Sequence, residues 1–223
     1  MTYLPHNILS FVHSLLSQHI KTGDCVADCT AGNGNDTLFL AETVGKTGQV
    51  FSFDIQEVAL NNTRQRLQDA GLIEPVELIL DGHQNINQYI QQPLDAVMFN
   101  LGYLPQGDKN CTTNVDSTMI AIKKSLKLLR KNGILSVVLY SGHENGKDEC
   151  AAVEAFSGRC KQQDYDILRY QFANRPKTAP YALIFRKMAD EIIFRQPETF
   201  AKLVDVSRVQ SYSSTEIEDI TNS

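Results

Sequence analysis

A chain of 223 residues is long enough to bury the core of one α/β domain, and its 42% hydrophobic and 21% charged content is typical of a water-soluble globular protein. The formal net charge of -5 excludes a general attraction of the whole molecule to nucleic acid, so an RNA substrate would need a local basic patch. No apolar run is long enough to cross a membrane and no signal-peptide pattern opens the chain, so we expect a cytoplasmic protein with no membrane partner.

Strands and helices alternate along the chain, which predicts a mostly parallel sheet with helices on both faces. An opening helix is predicted at residues 7–20, where apolar side chains recur on one face. Predicted strands follow at residues 25–29, 49–54, 76–81, 94–100 and 133–140, and predicted helices at 35–45, 56–70, 84–91, 113–130 and 147–157. In such a sheet, ligands bind at the carboxyl ends of the strands.

The alternation ends with two strand-like segments, residues 165–172 and 181–187, separated only by a short loop with prolines. A parallel crossover needs a dozen or more residues, so this pair is predicted to be an antiparallel hairpin. Five alternating units and a closing hairpin describe the Rossmann-like, seven-stranded fold of class I methyltransferases. We predict a catalytic domain at residues 1–187 and a polar C-terminal extension at 188–223, partly disordered at its end.

A glycine-rich turn follows the first predicted strand and is typical of a nucleotide-like cofactor site. Gly32 and Gly34 allow positive φ and close approach of a ligand, while Thr37 stands where a dinucleotide fingerprint has its third glycine. That departure, and the acidic Asp28, argue against a diphosphate and favour a cationic cofactor such as S-adenosylmethionine. The turn residues expected to bind it are Asp28, Ala31, Gly32, Asn33, Gly34, Asn35, Asp36 and Thr37.

The next two predicted strands end in carboxylates. Asp54, 20 residues past Gly34, stands where a carboxylate accepts hydrogen bonds from ribose hydroxyls, with Ile55 and Gln56 beside it. The third strand is followed by Asp81, Gly82 and His83, where a carboxylate could reach an adenine amino group, although Asp81 and His83 could equally cap the following helix. These positions complete the predicted adenosine site.

The predicted reaction centre follows the fourth strand, at Asn100, Leu101, Gly102 and Tyr103, and the first three of these residues are also expected to contact the cofactor. Asn100 and Tyr103 have the one-and-four spacing of the Asp/Asn-Pro-Pro-Tyr motif of amino-group methyltransferases. There the amide oxygen and the next backbone carbonyl accept both N–H groups of the substrate and aim its lone pair at the methyl, while the aromatic ring packs on the substrate. Catalysis would then rest on positioning, without a metal.

An alkylamine is mostly protonated at neutral pH and must lose a proton before it attacks. Asp108 and His143, just after the fourth and fifth strands, are the candidate proton acceptors, but a turn role for Asp108 and a loop-backbone contact for His143 stay open. The histidines of the opening helix are expected to have surface or core roles.

Basic residues occur in two groups. Those at 123–131 are predicted to line the solvated face of a helix, whereas Arg169, Arg175 and Lys177 lie nearer to where a substrate would enter. Five cysteines without a C-x-x-C pair disfavour disulfides and zinc, and Cys25 and Cys29 are expected to be buried core residues.

Residues 100–109 closely resemble the N-L-G-Y-L-P-G-G-D-K signature of the YtqB/MnmM family, whose members are labelled ribosomal RNA methylases. The glycine-rich turn, residues 81–83 and residues 141–144 also occur in the same order as in that family. The resemblance covers residues 5–187. It implies S-adenosylmethionine as cofactor, S-adenosylhomocysteine as product, and methylation of 5-aminomethyl-2-thiouridine at the wobble position of tRNA. Gln106 and Asn145 replace glycines of the family pattern, which leaves substrate choice less secure than cofactor binding.

Other interpretations stay open. Ribosomal RNA, a protein side chain or a small amine could replace the tRNA anticodon stem-loop as substrate. An NAD-dependent oxidoreductase would share the glycine-rich turn and the carboxylate after the second strand, but its turn should have a third glycine. A non-catalytic RNA-binding module should have a broken cofactor loop. A homodimer is plausible because one site offers little basic surface for a tRNA stem-loop.

Overall fold

The computed structural model describes residues 5–102, 114–142 and 144–190, and only the backbone at 144 and 145. Within this part of the chain, seven strands form one sheet. They are β1 (Cys25–Asp28), β2 (Gln49–Asp54), β3 (Val76–Leu80), β4 (Leu94–Asn100), β5 (Leu129–Leu139), β6 (Tyr165–Tyr170) and β7 (Tyr181–Lys187).

The strands lie in the order β3-β2-β1-β4-β5-β7-β6. The first five are parallel, while β7 pairs antiparallel with both β5 and β6. The order reverses between β1 and β4, and the crevice at this switch point is where open α/β sheets bind ligands. The predicted class I methyltransferase fold and its closing hairpin are confirmed.

Helices join successive strands and cover the sheet. Those in the described residues are α1 (Ile8–His19), α2 (Asn35–Val44), α3 (Glu57–Asp69), α4 (Ile86–Tyr89), α5 (Val115–Leu128) and α6 (Glu144–Ser157), with a 3-10 turn at His83–Asn85. Asn7 caps the start of α1, and its side chain accepts a hydrogen bond from the Ser10 backbone N–H. Its buried face, Ile8, Val12 and Leu16, belongs to one apolar cluster with residues of α2 and the central strands, and α1 packs on β5 and β7.

The start of β5 differs from the prediction. The strand begins at Leu129, four residues before residue 133, because Asn132 adopts a left-handed φ of 64° and the pairing with β4 shifts register after Leu94. Asn132 and Gly133 therefore form an irregularity within the strand and do not end the preceding helix. Arg130, in this irregular stretch, pairs with Asp95 of β4.

In the described part of the chain, no helix is both long and apolar enough to span a bilayer. The described residues up to 190 belong to one compact unit, and residues 191–223 lie outside the described part of the chain, so the predicted boundary after residue 187 stays a prediction. Four cysteines are free thiols, Cys25, Cys29, Cys150 and Cys160, and Cys111 is outside the description. Cys29 is buried as expected, whereas Cys25 is only half-buried, because it begins β1 at the edge of the core.

Candidate active site

A cavity of about 780 Å³ opens at the carboxyl ends of the central strands, in the size range of small-molecule sites. It brings together residues from eight separate segments of the described chain. The predicted site residues that line it are Ala31, Gly32, Asn33, Asn35, Asp36, Asp54, Ile55, Gln56, Asp81, Gly82, His83, Asn100, Leu101 and Gly102.

Several backbone amides of the glycine-rich turn already donate hydrogen bonds within the protein. The Gly32 backbone N–H donates to Asp54 Oδ2 at 2.9 Å, and the Thr30 N–H donates to Asp28 Oδ1 at 3.0 Å. The Gly34 N–H donates to the Ala31 carbonyl at 2.8 Å. In dinucleotide sites such amides cradle the phosphates, but here carboxylates and a carbonyl already accept them. The turn is therefore unsuited to a diphosphate.

Asp28 and Thr37 lie beneath the turn and do not line the cavity. Asp28 is fully buried, and its Oδ2 accepts the Thr37 hydroxyl at 2.6 Å, which also contacts the Ser52 hydroxyl. Burial, reinforced by the nearby Asp36 charge, raises the pKa of Asp28 to about 7. The described contacts of these two residues shape the loop from below.

Replacing Asp28 with asparagine should change the pH dependence of stability. Because the pKa of Asp28 in the folded chain lies above its usual 3.8, the folded state holds the extra proton between these values, and stability falls as pH rises to about 7. Asparagine stays neutral, so the melting temperature of Asp28→Asn relative to the wild type should rise between about pH 5 and pH 8. Thermal denaturation across this range measures it, and a difference independent of pH would contradict it.

Helix α3 holds the turn from outside. Thr63 Oγ1 donates to the Gly32 carbonyl at 3.2 Å, Arg66 Nε donates to the Asn33 carbonyl at 2.7 Å, and the Asn62 amide donates to Asn33 Oδ1 at 3.1 Å. Gly34, which precedes α2 with a φ of 78°, lies so close to α3 that a Cβ there would meet the Thr63 Cα at 2.8 Å. The sequence pattern does not predict these contacts between α3 and the turn.

Gly34→Ala should therefore lower the melting temperature through both backbone strain and collision with α3, at a cost of about 1 to 3 kcal/mol or more. Gly71→Ala is the matched control, since Gly71 has a φ of 67° but nothing lies within 4 Å of its added Cβ. Thermal unfolding compares the two variants. Equal losses would show that the contact with Thr63 is unimportant.

The Asp54 carboxylate binds two backbone amides, with Oδ2 on Gly32 and Oδ1 accepting the Gln56 N–H at 2.9 Å. Each oxygen keeps a further lone pair, so the carboxylate can still accept from a ligand hydroxyl at the cavity wall. Ile55 is 55% exposed although it is large and apolar, and it lines the same wall.

Asp81 and His83 form the next wall of the cavity. Asp81 accepts hydrogen bonds from Asn85, Tyr89 and the Gly82 amide. Burial is the largest single effect on the pKa of Asp81 and raises it, but the three hydrogen bonds together hold this pKa below its usual range. His83 is buried, which lowers its pKa, and its Nδ1 donates to the Cys29 carbonyl at 2.9 Å. Its other ring nitrogen, Nε2, is then an acceptor.

Asn100 ends β4 at the switch point and is fixed at two places. Its backbone N–H donates to Thr30 Oγ1 at 2.8 Å, and its side-chain Nδ2 donates to Asp36 Oδ2 at 3.1 Å. Asp36 Oδ1 in turn accepts a hydrogen bond from His13 Nε2 at 2.7 Å. The sequence predicts only a surface or core role for His13. Its contact with Asp36 arises because α1 packs beside α2.

Six other residues that line the cavity are not among the predicted site residues. These residues are Leu9, Asn114, Ser117, Tyr140, Gly142 and Thr178. Burial, together with the Asp36 charge, raises the pKa of Tyr140 to about 12, so its hydroxyl stays protonated. Tyr140 is an aromatic residue next to Gly102. The predicted catalytic residues Tyr103, Asp108 and His143 lie outside the described residues.

No lysine or arginine is among the described residues that line the cavity, while Asp36, Asp54 and Asp81 are. This acidic lining favours a cationic ligand over a phosphorylated one. Outside the cavity, several basic side chains already have intramolecular partners: Lys124 donates to the Gln84 carbonyl and Arg169 pairs with Glu154.

Arg175 lies over the Phe172 ring, 3.8 Å from its centroid, and donates to the His6 carbonyl. Arg175 and Lys177 are both exposed on the loop that carries Thr178 to the cavity. Two of the three predicted substrate-side basic residues, Arg175 and Lys177, therefore lie on a loop that reaches the cavity, whereas Arg169 pairs with Glu154.

Comparison with known proteins identifies the family. The family model described as "Putative rRNA methylase" matches residues 50–186. A tRNA (mnm5s2U34)-methyltransferase of Arabidopsis thaliana, described as chloroplastic, is 35% identical over 185 residues, covering 78% of this chain and 68% of that protein.

Two solved structures are similar over the whole of their own length. One, from Clostridium thermocellum, carries the same rRNA-methylase description, with 42% identity, 84% of this chain covered and a TM-score of 0.81. The other, a "putative methyltransferase" from Streptococcus mutans in complex with SAH, has 38% identity, 84% coverage and a TM-score of 0.75. The chain therefore belongs to the rRNA methylase family and is a class I methyltransferase.

Proposed function

We propose that this chain methylates the amino group of 5-aminomethyl-2-thiouridine at the wobble position of tRNA, with S-adenosylmethionine as methyl donor. The observation that carries the proposal is Asn100, held at the switch point with its amide nitrogen bound to Asp36. The printed substrate of the Arabidopsis thaliana relative and the resemblance of residues 100–109 to the YtqB/MnmM signature support the choice of amine.

The cavity suits S-adenosylmethionine in size and charge. Its volume of about 780 Å³ accommodates an adenosine with an amino-acid arm, and its acidic lining favours the sulfonium. When bound, this cofactor supplies an electrophilic methyl group. Its product, S-adenosylhomocysteine, is the ligand named for the Streptococcus mutans structure.

We assign the adenosine to the wall formed by β2 and β3. Asp54 accepts from the ribose hydroxyls, Ile55 covers one face of the adenine, and Gln56 closes the edge of the site. His83 Nε2 is an acceptor of the correct type for the adenine amino group, which places His83 ahead of Asp81 for this role, because Asp81 already accepts from Asn85, Tyr89 and Gly82. Asn33, Asn35 and the turn backbone face the amino-acid arm.

The target amine binds at the opposite end, beside Asn100. The Asn100 side-chain oxygen and the backbone carbonyl of Leu101 accept the two N–H groups, so the nitrogen lone pair faces the methyl carbon. A nitrogen–carbon bond forms as the carbon–sulfur bond breaks, the sulfur keeps the bonding electron pair, and the nitrogen loses one proton. Holding two reactants in line in this way removes roughly 7 to 11 kcal/mol from a barrier.

The amine must be neutral when it reacts. Asp108 and His143 remain the proposed proton acceptors from the sequence, and Tyr103 the proposed aromatic contact. Tyr140 adds a second aromatic side chain at this end of the cavity. Arg175 and Lys177 supply local positive charge for the RNA backbone near the opening.

Ribosomal RNA is the second candidate substrate, on the strength of the family description alone. We further propose a cytoplasmic location and leave a homodimer as a prediction. The direct test is transfer of labelled methyl from S-adenosylmethionine to three RNAs: tRNA lacking the final methyl on its wobble base, fully modified tRNA, and ribosomal RNA. The proposal expects label only in the first. Label in ribosomal RNA alone would replace tRNA as substrate.

A further inference from the structure

We propose that Asp36, steadied by His13, is a positioning residue that fixes the amide of Asn100 with its oxygen toward the substrate amine. The inference rests on the proposed amine-directed function and deepens it. It moves Asp36 from the predicted cofactor contacts to the support of the reaction centre, and it gives α1 a part in catalysis.

Asp36 is nearly closed to solvent, whereas His13 and Asn100 are half-buried. Asp36 lies in the first turn of α2 and is 6% exposed. Its two oxygens have separate partners, Oδ1 with His13 Nε2 at 2.7 Å and Oδ2 with Asn100 Nδ2 at 3.1 Å. A buried carboxylate with a hydrogen bond to each oxygen is well suited to hold its neighbours in one orientation.

The chemistry of the pair fixes which way the amide points. An ionised carboxylate only accepts hydrogen bonds, whereas an asparagine amide has a donor end and an acceptor end. Asn100 must therefore turn Nδ2 to Asp36, and Oδ1 faces away from it, on the side of the cavity that Asn100 lines. Without Asp36, either end could face the substrate, and the NH₂ end would repel an amine's N–H groups.

His13 holds the carboxylate in place. Its ring stacks on Phe39 of α2, with centroids 4.0 Å apart and planes 6° apart, so Nε2 points at Asp36 Oδ1. Because this oxygen is occupied by His13, the other is left to Asn100. The backbone of Asn100 is fixed separately by Thr30, so the Asp36 contact controls the side chain.

The charge of Asp36 also acts in the cavity. It contributes to raising the pKa of both Asp28 and Tyr140, after burial in each case. A negative charge at this distance from Asn100 favours a cationic group at the substrate end, which is the form in which an alkylamine arrives. Asp36 does not touch the reacting atoms.

The test is a double-mutant cycle on kcat. Asp36→Ala should lower kcat about 10- to 100-fold, as expected for loss of one oriented hydrogen bond in the transition state, with the dissociation constant of S-adenosylmethionine changed less than about threefold. If Asp36 acts only through Asn100, Asp36→Ala should cost nothing further in an Asn100→Ala background. A purely structural role would give the same loss in both backgrounds and would overturn the proposal.

Two further variants separate orientation from folding. Asp36→Asn keeps an oxygen for Asn100, and its NH₂ can donate to His13 if that ring changes tautomer, so this variant should retain more activity than Asp36→Ala. His13→Phe keeps the stacking on Phe39 and removes the hydrogen bond, and should lower kcat by about threefold to tenfold, again only when Asn100 is present. If Asp36→Ala fails to fold, these two variants carry the test.

The matched control is Asp69→Ala. Asp69 also accepts a hydrogen bond from a side-chain amide, that of Gln65 at 2.8 Å, but it is exposed and does not line the cavity. Its kcat should equal that of the wild type. A parallel loss of cofactor affinity in Asp36→Ala would return Asp36 to cofactor binding and contradict the inference.

A binding readout keeps the inference separate from the choice of substrate. Sinefungin carries a primary amine where S-adenosylmethionine carries its methyl group, so its ammonium should lie beside Asn100. The wild type should prefer sinefungin to S-adenosylhomocysteine, and Asp36→Ala should reduce this preference about tenfold, with no further loss in Asn100→Ala. An unchanged preference would overturn the inference, whereas lack of methyl transfer to any RNA would overturn only the proposed substrate.

Discussion

Asn100→Ala should lower kcat about 100- to 1,000-fold while the dissociation constant of S-adenosylmethionine changes less than about threefold. The residue ends β4 with its backbone bound to Thr30 and its amide to Asp36, so its oxygen is preorganised for a group that arrives with the second substrate. Such an acceptor contributes to the transition state and little to cofactor binding. Steady-state kinetics and calorimetry measure the two quantities.

Asn61→Ala is the matched control for this change, because Asn61 is an exposed asparagine of α3 that binds only Arg64 among the contacts described. It should retain wild-type kcat and affinity. An Asn100→Ala enzyme with near wild-type kcat would remove the amine-orienting role, and a loss confined to cofactor affinity would place Asn100 at the cofactor instead.

Asp54→Ala should have the largest effect on cofactor affinity, weakening S-adenosylmethionine by about 2 to 3 kcal/mol, or roughly 30- to 150-fold. The change removes the proposed acceptor of the ribose hydroxyls and also releases the Gly32 amide, which Asp54 holds at 2.9 Å. Isothermal titration calorimetry measures the affinity. Thermal unfolding without ligand reports separately on the loop.

Asp54→Asn refines the result. The amide keeps one oxygen for Gly32 or Gln56 but loses the second acceptor and the charge, so its affinity should fall between those of the wild type and Asp54→Ala. Unchanged affinity in Asp54→Ala would exclude Asp54 from the ribose contact.

The site residues that follow the ends of strands are predictable from the sequence. The strands leading to Asp54, Asp81 and Asn100 were recognisable from apolar runs, and parallel topology then requires their carboxyl ends to meet at one edge. The hairpin was equally predictable, since the link between its strands is too short for a parallel crossover. For these reasons the fold and most of the cavity lining followed from local pattern.

Contacts that depend on packing between helices were not predictable. His13 is an ordinary helix residue in the sequence, and its bond to Asp36 requires α1 to lie beside α2. Likewise, nothing local shows that Thr63 of α3 lies against Gly34, or that Tyr140 lines the cavity next to Gly102. The predicted start of β5 at residue 133 is four residues late, because the strand continues through an irregularity at Asn132, whose φ is 64°.

The most direct test of the account is the identity of the methylated nucleoside. The purified protein should be incubated with S-adenosylmethionine and tRNA bearing 5-aminomethyl-2-thiouridine, and the digested nucleosides analysed by mass spectrometry. We expect this nucleoside to gain one methyl group on its side-chain nitrogen, and we expect Asn100→Ala to abolish most of the conversion. Methylation on a base carbon, a ring nitrogen or a ribose oxygen, with the aminomethyl nucleoside unchanged, would contradict it.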